Sequence, residues 1–461
     1  MKRIPCIHHP ARRERRARTG MHLSGMLVVL LFLTYLAACT SGMPLAPAPT
    51  PTTTPAALPS VIEPAPDWNA SANDIRWAEI DFDDLTPGYV SLQQCWNGMG
   101  MDDQGRIYIG FTSMRHSGGE DFVVFRYDPR SGVKTFLGTL IDVAEAAGNL
   151  APDESIPKGH TRLIYADGII YLGSQGFHDF KWEIDDLPKY RGAHIFAFDT
   201  QKGTWRDLAA KMPDGVILKN QGIVALGIQR DQHLLVGLAH PYSDIVLYDY
   251  QEEALKDVIP GIPWQLGNPL SREVILAPSG RIYTYRGTED PSQRDESHPV
   301  WVYDPQSGEM TSTGFEMTQG FWIGQTEKRD GSKIYVSTTN GQLYEFDTAL
   351  ETFKDLGYLL PEYEVAAGRR ITYMYGVTLS PDEKKLYYVP SVLENPDGTG
   401  ELYAYDLETG EVEFIQYLPR GIYTAADLRD DENIYLAHFG TLENLWSGRA
   451  RLMMLNFGKD E

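Results

Sequence analysis

A pair of one large aliphatic residue followed by tyrosine recurs along this chain at Ile107-Tyr108, Ile170-Tyr171, Ile282-Tyr283, Ile334-Tyr335, Leu386-Tyr387 and Ile434-Tyr435, with Leu234-Leu235 filling the gap. The seven copies are spaced by 63, 64, 48, 52, 52 and 48 residues. A period of that size marks units that cannot bury their apolar faces alone and must stack on one another. Each pair lies in an alternating run, such as Gly105-Arg106-Ile107-Tyr108-Ile109-Gly110, which is the pattern of a strand. In the first six copies a second strand follows and ends in Asp128, Asp199, Asp249, Asp304, Asp347 or Asp406. Three of these turns carry a matching glycine, Gly132, Gly308 and Gly410, as a tight reverse turn requires. A further short strand comes next, and an apolar segment precedes each pair. Four strands per unit make a propeller blade, so the expected fold is an all-β, seven-bladed β-propeller.

The seventh copy has its third strand at residues 451–457 and no fourth beyond it. Residues 74–82, ahead of the first copy, are strand-like and unassigned. Pairing the two closes the ring and removes an exposed edge. Long 3.6-period patterns are scarce while the chain holds 43 glycines, 29 prolines and 26 tyrosines, which favours short strands and turns over helices.

Residues 1–38 combine an arginine-rich start with an apolar run of thirteen residues from Met26 to Ala38, short for a membrane span and suited to a signal peptide. Its end, Leu36-Ala37-Ala38-Cys39, resembles the lipobox of bacterial lipoproteins. That resemblance implies cleavage before Cys39, lipidation of its thiol and anchoring in the bacterial cell envelope on the extracytoplasmic side. Residues 39–67 are rich in proline and threonine and read as a semi-rigid tether reaching about 80 Å. The propeller is expected over residues 68–461. With Cys6 removed and Cys39 modified, Cys95 remains as a small buried hydrophobe, and no disulfide framework is available.

The formal net charge is −22, and residues 1–38 hold seven basic and one acidic residue, leaving −28 beyond them. Such a surface repels phosphate backbones, so no nucleic-acid partner is expected. The acidic runs around residues 79–84, 183–186 and 430–432 lack the spaced ligands and glycine of a calcium loop and read as solvated surface.

Counting back from each Ile-Tyr pair places Asn97, His160, Val224, Arg272, Trp322, Tyr375 and Thr424 at equivalent positions where the inner strands start. His116, His178, His240, His298 and His438 fall at the ends of the neighbouring strands, on the same face. Arg162 shares one side of a strand with His160. The ligand-binding candidates are therefore Asn97, His160, Arg162, His178, Arg272, Trp322, Tyr375 and His438, a set suited to a small polar, sugar-like or carboxylate-bearing ligand. No Asp or Glu shares the inner-strand register, and no Gly-x-Ser-x-Gly elbow occurs.

The blade features resemble the broad superfamily of NHL, streptogramin-lyase-like, gluconolactonase-like and PQQ-like repeat propellers over residues 74–457. The resemblance implies the disc and not one activity. The leading expectation is a membrane-tethered propeller binding a small polar ligand or a protein partner at one face, without chemistry of its own and without a resident cofactor. The alternatives are an extracytoplasmic lyase or hydrolase on a carbohydrate-like substrate, with a divalent metal at a His-rich rim, and an envelope assembly scaffold.

Overall fold

The aliphatic residue and the tyrosine of each pair point to opposite sides of one strand, so each pair can seal two different blade interfaces. That is how they are used. In the computed structural model, Tyr108 of blade one packs in the same apolar cluster as Ile170 of blade two, Tyr283 of blade four with Ile334, Tyr335 with Leu386, Tyr387 with Ile434, and Tyr435 with Ile107 across the ring closure. Blade three corrects the sequence alignment by one residue. There Leu235 pairs with Tyr248 as Ile170 pairs with Phe198, Leu235 meets Tyr171 in one cluster, and Val236 meets Ile282 in the next. The third copy is thus Leu235-Val236.

The structure describes residues 58–458 except 63–65, 70–74, 87, 117–118, 153, 177–189, 241, 262–270, 286–296, 319–321, 393–397 and 441–448. The expected signal peptide, Cys39 and His178 lie outside the described residues. Among the described residues no helix is long and apolar enough to cross a membrane.

Seven antiparallel blades form. Their second strands, which carry the repeat, are Ile107–Arg115, Ile169–Gln175, Leu234–His240, Ile282–Tyr285, Lys333–Thr338, Lys385–Tyr388 and Asn433–Phe439. Blade seven is completed by the N-terminal strand Arg76–Ile80, whose register runs from Arg76 opposite Asn456 to Ile80 opposite Leu452. Glu79 on this strand bonds His438 Nδ1 and Arg451, the latter at 2.7 Å, so the closure is clasped by charge as well as by the ladder. Within the stretch read as tether, Ser60–Ile62 adds an outermost strand to blade one, pairing with Val133–Thr139.

The aspartate that ends each third strand has one task in all six blades. Its carboxylate accepts the backbone N–H two residues on, at 2.8–3.1 Å, in Asp128, Asp199, Asp249, Asp304, Asp347 and Asp406. This local bond presets the turn to the outer strand. The turns share one face of the disc, and the inner strands begin on the other.

At the centre, neighbouring inner strands bond directly to one another. Leu163 N donates to Met99 O at 2.9 Å, Arg272 N to Trp322 O at 2.9 Å and Ala425 N to Tyr375 O at 3.1 Å. The channel is accordingly narrow.

Candidate functional site

Trp96 caps the channel on the face where the inner strands start. Tyr375 and Phe439 each approach it with ring centroids at 5.4 Å, and His160 lies parallel to it at 6.0 Å. Beneath it, Asn97, Arg272, Ile323, Tyr375 and Thr424 enclose a void of about 10 Å³, room for one water at most. The void has no room for a larger molecule.

The mouth is cationic. Arg272 Nη1 donates to His160 Nε2 at 2.8 Å, and Lys158 Nζ stands 5.5 Å from the Trp96 ring centre. Burial pushes the Lys158 ammonium down to about 8, with Arg272 acting in the same direction and Glu120 against it. Burial, then Arg272 and Lys158, holds His160 well below the ordinary imidazole range, so it is neutral and accepts from Arg272. Lys158 and Arg272 are both partly exposed. In a chain of net charge −22, two cations gathered around one aromatic plate stand out.

Deeper in the channel the sign reverses. Arg162 Nη2 pairs with Glu273 Oε1 at 3.1 Å, and Asn97 Nδ2 donates to the same oxygen at 3.1 Å. Asp427 accepts from the Glu327 backbone N–H at 2.9 Å and is bonded by Thr326 and Arg429. Burial raises the carboxyls of both Glu273 and Asp427. Among the described residues no group of three His, Cys, Asp or Glu side chains is disposed to hold a metal ion.

The structure thus brings together Asn97, His160, Arg162, Arg272 and Tyr375 and adds Trp96, Lys158 and Glu273. Glu273 reaches the channel from the position after Arg272, outside the inner register in which no acidic residue was expected. Ser271 Oγ bonds the backbone of Glu273, and consecutive Arg272 and Glu273 both reach partners across the channel. Trp322 is wholly buried in the core between blades four and five, and Ile323 lines the void instead, beside a register shift between Trp322 and Gly324. His438 stacks on Tyr423 at 4.6 Å and is held between Glu79 and Arg420 O, in the closing clasp. Thr424 Oγ1 donates to Cys95 O, and Cys95 is fully buried with its thiol pushed up to about 12. His298 packs edge-on to Tyr285, while His116 is exposed.

One wall of this face is pinned by a buried histidine. His194 Nδ1 bonds Asp207 at 2.9 Å, and its Nε2 lies 3.7 Å from Glu154, which Arg191 holds at 2.9 Å. Asn149 also donates to Asp207, so the connection after helix Leu140–Ala146 is tied to blade two. The His194 pKa is raised by these carboxylates in spite of burial. Its stabilisation is complete below the ordinary imidazole value of about 6.5 and is lost as pH rises through the raised folded value. Thermal melts at pH 6 to 9 are expected to show this alkaline decline, and His194→Gln to flatten it. An unchanged slope in the variant would remove His194 as its source.

A wider space than the channel void lies elsewhere: an open groove of about 1790 Å³ between the outer strands of blades five and six, lined by Tyr358, Tyr363, Arg369, Tyr405 and Phe414 among others. Arg369 there is locked onto Glu364 and Glu401, with Tyr403 bonding both carboxylates at 2.9 Å.

No protein-family model and no curated protein matches the chain. Solved structures match in fold. The β-propeller domain of Cps50 (Swd1) from Myceliophteria thermophila shares 12% identity over 82% of this chain and 98% of its own, with a TM-score of 0.50. A Lactobacillus plantarum protein shares 16% identity over 76% and 95%, TM-score 0.45. The periplasmic gluconolactonase of Pseudomonas aeruginosa shares 13% over 72% and 87%, TM-score 0.44. At these identities the likeness is one of fold alone.

Proposed function

We propose that this propeller binds a small carboxylate-bearing ligand at the channel mouth, held outside the cytoplasm by a lipid on Cys39 and the proline-rich segment 39–67. The observation that carries the reading is the convergence of Arg272, Lys158 and neutral His160 around the Trp96 plate. A guanidinium offers a carboxylate paired donors, and an indole face takes the flat or apolar remainder of the ligand. Arg272 is already oriented by His160, which lowers the cost of ordering it on binding.

Calorimetry with short hydroxy and oxo acids tests the site. Loss of one charge-assisted hydrogen bond costs about 1.5–3 kcal/mol. Arg272→Ala is therefore expected to raise Kd about 10- to 100-fold. Equal affinity in the variant, or no binding by the wild type, overturns the site. Intact mass of the mature protein tests the anchor: retention of residues 1–38, or no acyl mass on Cys39, rejects it.

A further inference from the structure

We propose that His194 is a proton-operated latch on the wall beside the channel mouth. With both ring nitrogens protonated it holds Glu154, and loss of one proton at alkaline pH releases residues 154–157 and the start of blade two's inner strand. The latch rests on the carboxylate reading of the mouth only for its effect on ligands, and its test reads the chain itself.

The geometry sets the protonation that the closed wall needs. His194 is fully buried, and each ring nitrogen faces a carboxylate oxygen. Nδ1 lies 2.9 Å from Asp207 Oδ2 and Nε2 lies 3.7 Å from Glu154 Oε1, with both acidic side chains at most 1% exposed. An ionised carboxylate accepts and does not donate, so both nitrogens carry hydrogen. The other carboxylate oxygens are occupied: Asp207 Oδ1 accepts from Ala209 N at 3.0 Å, and Glu154 Oε2 accepts from Ala151 N and Arg191 Nε, each at 2.9 Å. Among the described residues, His194 Nε2 and Glu154 Oε1 have no hydrogen-bond partner and face only each other. Two carboxylates balance Arg191 and an imidazolium. With a neutral imidazole they leave one buried negative charge uncompensated.

The remaining neighbours do not share the titration. Phe196 stacks on the ring at 5.5 Å, and Asn149 Nδ2 donates to Asp207 at 2.8 Å. Tyr190, near Glu154, and Tyr248, near Asp207, are held protonated by burial. Closure is therefore complete below the ordinary imidazole value of about 6.5 and is lost as pH rises through the value that the two carboxylates raise.

The two contacts are unequal, which decides what lets go. Nδ1 keeps its hydrogen on the nearer Asp207, so Nε2 gives up its proton and turns a lone pair toward Glu154 Oε1. Glu154 lies in a connection without regular secondary structure, and the inner strand of blade two begins four residues later at Lys158. That strand start is short: Lys158 and Gly159 pair with Gln175 and Ser174. Ser174 is also bound from the other side, its Oγ accepting from His194 N at 2.9 Å and its N donating to His194 O at 3.0 Å. His160, which meets Arg272 at the mouth, follows Gly159 directly. Wall and mouth thus share one short piece of ladder.

Hydrogen–deuterium exchange of the full chain tests the latch between pH 6 and 9, read as protection factors so that base catalysis of exchange itself is removed. Protection of peptides covering residues 154–160 is expected to fall about tenfold or more over this range, while the strand Lys333–Thr338 keeps its own. His194→Gln should show the low protection already at pH 6. Glu154→Gln should keep the high protection to pH 9, because a side-chain amide donates to the neutral nitrogen that a carboxylate repels. Constant wild-type protection at residues 154–160, or a fall shared equally by every blade, overturns the latch, as does a Glu154→Gln fall equal to that of the wild type. Wild-type exchange decides alone should a variant fail to fold. Calorimetry with glycolate separates the two readings: binding with constant protection sinks the latch alone, and a pH-dependent fall without binding at any pH sinks the carboxylate site and leaves the latch.

Discussion

Phe82→Ala is expected to cost about 3–5 kcal/mol, among the largest losses available to a single truncation in this chain. Phe82 follows the closing strand Arg76–Ile80 by two residues and is fully buried. Its ring lies 4.8 Å from Phe125 and 5.9 Å from Phe111, both in blade one. The strand before it completes blade seven. One short segment therefore pairs with the last blade and packs into the first, and Phe82 is the packing half of that join. Removing the ring leaves a cavity that the two neighbouring blades cannot close without losing their own register. Urea unfolding measures the effect, with Ile62→Ala as control: Ile62 is 72% exposed and should stay within about 0.5 kcal/mol. A Phe82→Ala loss no larger than the control's would mean that the ladder alone closes the ring.

The repeat was legible because two physical demands leave marks in sequence. A strand buried on both faces needs large apolar residues in succession, and the Ile-Tyr pairs supply them to two interfaces at once. A tight turn needs a local acceptor, and six aspartates supply it. Blade three escaped for the same reason. Leu234, Leu235 and Val236 are all apolar, so nothing in them marks which residue faces which neighbour, and a slip of one reverses every face.

The site was legible only in part. Counting along inner strands found His160, Arg162, Arg272 and Asn97, since these strands start at similar heights. It failed at Trp322, where a register shift next to Gly324 moves Ile323 to the channel. It also missed Lys158, although a residue two before His160 belongs on the same side of the strand, and that alternation was available as a signal. Trp96 and Glu273 left no such mark. Asn97 has φ of 101°, and Glu273 is turned by bonds from Ser271, so the side chains beside them depart from the alternation that counting assumes.

Gly324→Ala is expected to destabilise the protein at or above the ~1–3 kcal/mol typical of overpacking. A Cβ at this position would stand 2.3 Å from Gly376 Cα and 2.6 Å from Ser337 Oγ, and backbone cannot yield as a flexible side chain does. Gly376 is itself constrained, with φ of 120° and a Cβ that would fall 2.5 Å from Ala425 O. The inner strands of blades five, six and seven thus touch through glycine, and this contact is what narrows the channel beneath Trp96. Pushing blade five from blade six also displaces Tyr375, which packs on Trp96, so weaker ligand binding at the mouth should accompany the loss of stability. Gly308→Ala is the control. It has φ of 72° but no neighbour within 4 Å of its Cβ, so it carries only the backbone penalty of a left-handed residue, about 1 kcal/mol. Equal losses for the two variants in urea unfolding would show that the inner strands have room to part, and would remove close packing through glycine as the reason the channel is narrow.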